Sequence, residues 1–140
     1  MKQELRLSGT GGQGLILAGI ILAEAALLDG KLAIQSQSYG PEARGGSSKS
    51  EVMISEEAIH FPKVTEPNLL LAMSQEAANK YSTDLSPESI LVTDSLFVSK
   101  LPAHSGKVYE LPITHSAKEI LGKALFANII ALGALVKITK

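Results

Sequence analysis

At 140 residues, with 45% hydrophobic and 19% charged side chains, the chain is long enough for one domain with a real core, too short for two, and not disordered in composition. Its net charge of -1 leaves no basic field for a phosphate backbone, so nucleic acid is not an expected partner. The sequence has no cysteine, which excludes a disulfide framework, a thiolate nucleophile and thiolate ligands to zinc or iron.

Residues 4–8 read as a first strand. A burst of glycine follows: Gly9, Gly11 and Gly14 stand in the spacing G-x-G-x-x-G, with Thr10, Gly12 and Gln13 between them. Strand before and helix after is the setting that a dinucleotide-type turn requires. Here one glycine is expected to let the backbone leave the strand at positive φ, one to admit a ligand or neighbouring chain, and one to let helix and strand approach. The helix that starts near Gly14 turns its free N–H groups and positive dipole end back toward the loop, a seat for an anionic group. The same glycines also fit a turn that serves only close packing.

Residues 15–28 read as the first helix, apolar on nearly every face with Glu24 its one charge. Such a helix is buried all round, which in so small a domain calls for cover from a second chain. Gly30 is placed to end it. Residues 31–37 read as the second strand, parallel to the first across a right-handed crossover. A dinucleotide fold wants an acid here, about 20 residues beyond the glycines. Ile34, Gln35, Ser36, Gln37 and Ser38 supply none, and no Arg stands beside them. The nicotinamide reading loses its support.

A second cluster follows, Ser38-Tyr39-Gly40-Pro41-Glu42-Ala43-Arg44-Gly45-Gly46-Ser47-Ser48, so that nine of the 12 glycines fall within residues 9–46. A P-loop is disfavoured, because Gly46 stands where its lysine must be. Arg44 is a fixed cation between glycines, suited to a bidentate carboxylate or phosphate. An ordinary salt bridge, to Glu42 or across a subunit boundary, suits it equally.

Residues 48–55 alternate as a strand that can run antiparallel to its neighbour, and residues 68–73 read as a central strand buried on both faces. Ser74 is placed to cap a helix over 75–81. Residues 89–93 and 108–111 are further strands, and 114–121 and 123–137 further helices. Asn128, in an otherwise apolar helix, is expected to bond to a loop carbonyl. Strand and helix alternate, so the fold class is α/β: a Rossmann-like, mostly parallel sheet flanked by helices in a single domain.

The chemistry of a stand-alone enzyme is missing. There is no G-x-S-x-G elbow and no carboxylate pair, and Ser95 has no identifiable base. His60, His104 and His115 lie far apart without ligand spacing, so no metal site and no catalytic residue is expected. The start reads as no secretory leader, and the apolar runs 14–23 and 124–136 are too short to span a bilayer. A cytoplasmic protein without a membrane partner is expected.

Three blocks carry a resemblance: 9–14, then 38–46, then Leu71-Ala72-Met73-Ser74-Gln75-Glu76. With Val92-Thr93-Asp94-Ser95 and the helix around Asn128 they resemble, in order and over residues 1–140, the gamma subunit or gamma domain of 2-oxoacid:ferredoxin oxidoreductases. The resemblance implies alpha, beta and delta partner subunits that hold thiamine diphosphate, Mg and iron–sulfur clusters, with no cofactor held by this chain alone. It implies coenzyme A as co-substrate, with electrons leaving to ferredoxin through the complex. The substrate it implies is 2-oxoglutarate or pyruvate, with the small subunit of indolepyruvate oxidoreductase as a rival within the family and a free-standing nucleotide-binding regulator as a rival outside it. The carried-over binding residues are Gly9, Gly11, Gly12, Gln13 and Gly14 in the first loop and Tyr39, Gly40, Arg44, Gly45 and Gly46 in the second. Family chains continue past the helix around Asn128, so a C-terminal closing element is expected beyond this sequence.

Overall fold

The computed structural model describes residues 2–10, 14–38, 47–59, 64, 67–82, 85–101, 104, 106–123 and 126–139. Its strands are β1 (Lys2–Thr10), β2 (Leu32–Ser38), β3 (Ser47–Ser55), β4 (Leu69–Ala72), β5 (Ile90–Asp94) and β6 (Lys107–Leu111). Its helices are α1 (Leu15–Leu28), α2 (Gln75–Tyr81), α3 (Ile113–Leu121) and α4 (Ala127–Thr139). The strands form one six-stranded sheet in the order β2-β3-β1-β4-β5-β6. β3 is antiparallel to both neighbours, and the other strands run one way.

Alternation along β1 sorts the two faces. Leu5 and Leu7 join Leu15, Ala18 and Ala23 of α1, Ile113 and Ala117 of α3, and Ala127, Ala131 and Leu135 of α4 in the main core. Each fully buried leucine contributes roughly 1.5–3 kcal/mol. Every residue of β4 is buried, which accounts for its unbroken apolar run. Ala72, Ala78 and Val98 form a small second cluster under α2.

The α2 face also carries charge. Arg6 and Glu51 are register partners on β1 and β3, only 5% and 7% exposed. Arg6 Nε donates to Glu51 Oε2 at 2.7 Å and its Nη2 to the Val64 carbonyl at 3.3 Å. Lys49 adds a second cation 3.6 Å from the same carboxylate oxygen. The pair crosses the β1–β3 seam where desolvation makes removal of either partner costly.

The expected parallel run of β1 and β2 is met, and the start of one helix is corrected. β2 does run parallel to β1, but β3 fills the place between them, so the strand beside β1 is the reversed one. The neighbour that would carry a ribose-binding acid is therefore absent from its usual place. α4 begins at Ala127 rather than at 123, because Phe126 N–H first closes a turn onto the Lys123 carbonyl. Finally, α1 is covered on one side only within this chain, which is the arrangement an expected second chain would complete. Its inward side is made of small residues, Ala18, Gly19, Ala23 and Ala26, with Leu15. Leu17, Ile20, Leu27 and Leu28 face outward, Leu28 at 91% exposure.

Two outcomes follow from this packing. Glu51→Ala is expected to destabilise the fold by about 3 kcal/mol, read as a lower denaturant midpoint, with Glu51→Gln costing less. The chain purified alone is expected to self-associate through its outward apolar helices; a monodisperse monomer in dilute sedimentation would count against that.

Candidate functional site

Of the sequence-predicted residues, Gly9 and Gly14 are described, and both lie toward one edge of the sheet. β1, β4 and β5 are parallel, so their C-terminal ends share that edge. The chain leaves β1 toward α1 and β2 on one side, and leaves β4 toward α2 and β5 on the other. Between β1 and β4 lies a topological switch point, where open α/β sheets leave a ligand crevice. Met73 N–H donates to the Ser8 carbonyl at 2.8 Å, which holds the exit of β4 against β1.

Both glycine clusters open from this edge. Thr10, the last residue of β1, pairs with Ser47, the first of β3, and Ser38 at the end of β2 pairs with Lys49. The flanks of residues 11–13 and of 39–46 are thereby brought together by strand pairing. Gly11, Gly12, Gln13, Tyr39, Gly40, Arg44, Gly45 and Gly46 themselves lie outside the described residues.

Gly9 is buried and still within β1, paired with Ser48. It is not the glycine that turns the chain out of the strand, because the ladder to β3 continues through Thr10. The positive φ falls on Gly14, at +76°, where it precedes α1 as its N-cap. No side chain caps α1 there, and its first turn holds no acid. An anion would meet a helix start unopposed by negative charge.

Gly14 is pinned from the far end of the chain. Its carbonyl accepts the first helical bond from Ala18 N–H at 3.0 Å and a second from Asn128 Nδ2 at 3.2 Å. A Cβ at position 14 would lie 2.6 Å from that same nitrogen. The expectation that Asn128 bonds to a loop carbonyl is met, and its target is the fingerprint itself.

Two contributors escaped the sequence reading. A Cβ on Gly19 would collide with Ser50 Oγ and come within 3.4 Å of Val52, so this glycine sets how closely α1 lies on β3. The signal was present: glycine inside a helix costs about 1 kcal/mol against alanine and asks for a packing reason. Gln75 is the other. Its carboxamide bonds to residues 99 and 100, and no local pattern announces partners so distant.

Asp94, fully buried at the end of β5, is occupied structurally. Oδ1 accepts from Leu96 N–H at 3.1 Å, and Oδ2 accepts from the N–H and hydroxyl of Thr114 at the start of α3. Among the described residues no cluster of three or more His, Asp or Glu can hold a metal ion, and no helix is long and apolar enough to cross a membrane. Among the described residues, the edge offers backbone groups and the start of α1.

The family described as pyruvate ferredoxin/flavodoxin oxidoreductase matches residues 4–140. The 2-oxoglutarate synthase subunit KorC of Methanocaldococcus jannaschii is 51% identical over 142 residues, covering 99% of this chain and 76% of that one. The crystal structure of the gamma subunit of a keto/oxoacid ferredoxin oxidoreductase from Geobacter sulfurreducens superposes with a TM-score of 0.90 at 51% identity, covering 99% of this chain and 77% of that one. A 2-oxoglutarate:ferredoxin oxidoreductase from Magnetococcus marinus, solved with 2-oxoglutarate, coenzyme A and succinyl-CoA, superposes at 0.87 with 25% identity, covering 98% of this chain and 24% of that one.

Gly14→Ala is expected to destabilise the fold by roughly 2–3 kcal/mol, about 1 from the left-handed backbone and the rest from the displaced Asn128 amide. In the Gly14→Ala/Asn128→Ala double variant the two costs should add to less than their sum, because the collision is gone. A double-mutant cycle in urea measures the difference.

Proposed function

We propose, from the premise that this chain belongs to the pyruvate ferredoxin/flavodoxin oxidoreductase family, that it is the gamma subunit of a 2-oxoglutarate:ferredoxin oxidoreductase using coenzyme A. Residues 1–140 then form one gamma domain beside alpha, beta and delta subunits. The names of the relatives favour 2-oxoglutarate over pyruvate and over indolepyruvate.

The observation that carries the reading is the pairing of Thr10 with Ser47 beside the start of α1. It joins the flanks of both glycine clusters at one end of the sheet, and a relative with the same fold was solved with coenzyme A. Coenzyme A is a polyphosphate with a long flexible arm. Its phosphates suit backbone N–H groups at a helix start and the Arg44 guanidinium. Gly9, Gly11, Gly12, Gln13 and Gly14 would form one side of that seat, and Tyr39, Gly40, Arg44, Gly45 and Gly46 the other.

The residues of this chain do not fit an iron–sulfur cluster, since it has no cysteine. In this reading thiamine diphosphate, Mg and the clusters belong to the partner subunits, and electrons pass through the complex to ferredoxin. What this chain does is bind and orient: it fixes the phosphate end of coenzyme A while the thiol reaches chemistry held by another chain.

Arg44→Ala in the assembled oxidoreductase tests this. Loss of a charge-assisted contact, about 1.5–3 kcal/mol, should raise KM for coenzyme A at least about tenfold and leave KM for 2-oxoglutarate unchanged. An unmoved KM for coenzyme A would leave the chain as a scaffold.

A further inference from the structure

The segment after β5 runs along the same edge as the crevice, and it is fastened at two places. Its near half is held by Asp94. The Asp94 carbonyl accepts from Phe97 N–H at 3.2 Å and from Val98 N–H at 2.9 Å, and Oδ1 accepts from Leu96 N–H. Val98 then plugs into the small cluster with Ala72 and Ala78. That much is ordinary core anchoring.

The outer half is held differently. Ser99, Lys100 and Leu101 are exposed and bury no side chain that would fix them. Yet Gln75, the first residue of α2, meets Ser99 and Lys100 with three of the four hydrogen-bonding positions of its carboxamide. Oε1 accepts from Ser99 N–H at 3.0 Å and Lys100 N–H at 2.9 Å. Nε2 donates to the Lys100 carbonyl at 2.7 Å and to Asn79 Oδ1 at 3.1 Å.

Gln75 is itself well placed to serve as a fixed point. Ser74 caps α2 through Ala77 N–H, at 3.1 Å, and Met73 is bonded to the end of β1. The carboxamide therefore transmits the position of the β1–β4 exit to a rim 24 and 25 residues further along the chain. Without it the rim would keep its anchor at Val98 and lose its orientation.

We propose that Gln75 is a positioning residue for coenzyme A binding: it holds Ser99 and Lys100 so that the rim forms a preset wall of the crevice. The wall carries a cation, Lys100, and an apolar side chain, Leu101, matching a ligand with phosphates and an aliphatic arm. Preorganisation lowers the ordering cost of binding and leaves the chemical step alone. This rests on the reading that coenzyme A lies along this edge.

The test is steady-state kinetics of the assembled oxidoreductase carrying Gln75→Ala or Gln75→Glu. Gln75→Ala should raise KM for coenzyme A by roughly tenfold, with kcat at saturating coenzyme A and KM for 2-oxoglutarate within about twofold of the parent. Gln75→Glu loses both donations and sets a carboxylate oxygen against the Lys100 carbonyl, so its KM for coenzyme A should rise as well. If Arg44→Ala raises KM for coenzyme A and Gln75→Ala does not, the positioning role is overturned alone. If neither moves it, the coenzyme A reading falls as well. Equal loss toward both substrates, or loss of subunit assembly, would make Gln75 merely structural and overturn the proposal.

Discussion

The fold rests on β1 being hydrogen-bonded on both sides by strands of opposite sense. β3 pairs with it antiparallel over its whole length, and β4 pairs with it parallel over residues 5–8. Because both sets of its backbone groups are used, β1 has no open edge, and its register fixes the two halves of the sheet. The crevice, the meeting of Thr10 with Ser47 and the buried pair of Arg6 with Glu51 all follow from that double pairing.

What the sequence made legible was local. The bounds of α1 are those expected, since Gly14 and Gly30 both lie at positive φ at its two ends. Ser74 caps α2 as its type and place suggested. β4 was readable from its apolar run, because burial on both faces leaves no alternation. The target of Asn128 was readable in kind, since a buried amide in an apolar helix must find a partner.

What stayed hidden was pairing across distance. Nothing in residues 32–38 says that β3 will return between β2 and β1, because strand order is decided by which faces find cover. The end of β1 was hidden for the same reason. The strand outran its expected end at residue 8 once β3 offered bonds through Thr10. Gln75 stands in one of the blocks that carry the resemblance, but its partners Ser99 and Lys100 are brought near only by the fold. The glycine and Arg44 positions proposed for binding, within 11–13 and 39–46, were read from sequence, while the structure contributes their flanks.

The size asymmetry of α1 reaches beyond the single molecule. Its small residues face the sheet and its large ones face away, so the outer flank is the larger apolar surface of the helix. A copy without companions would show that flank to chaperones and proteases, which read such surfaces as damage. In the proposed complex, companions that cover that flank would shield the chain from such turnover.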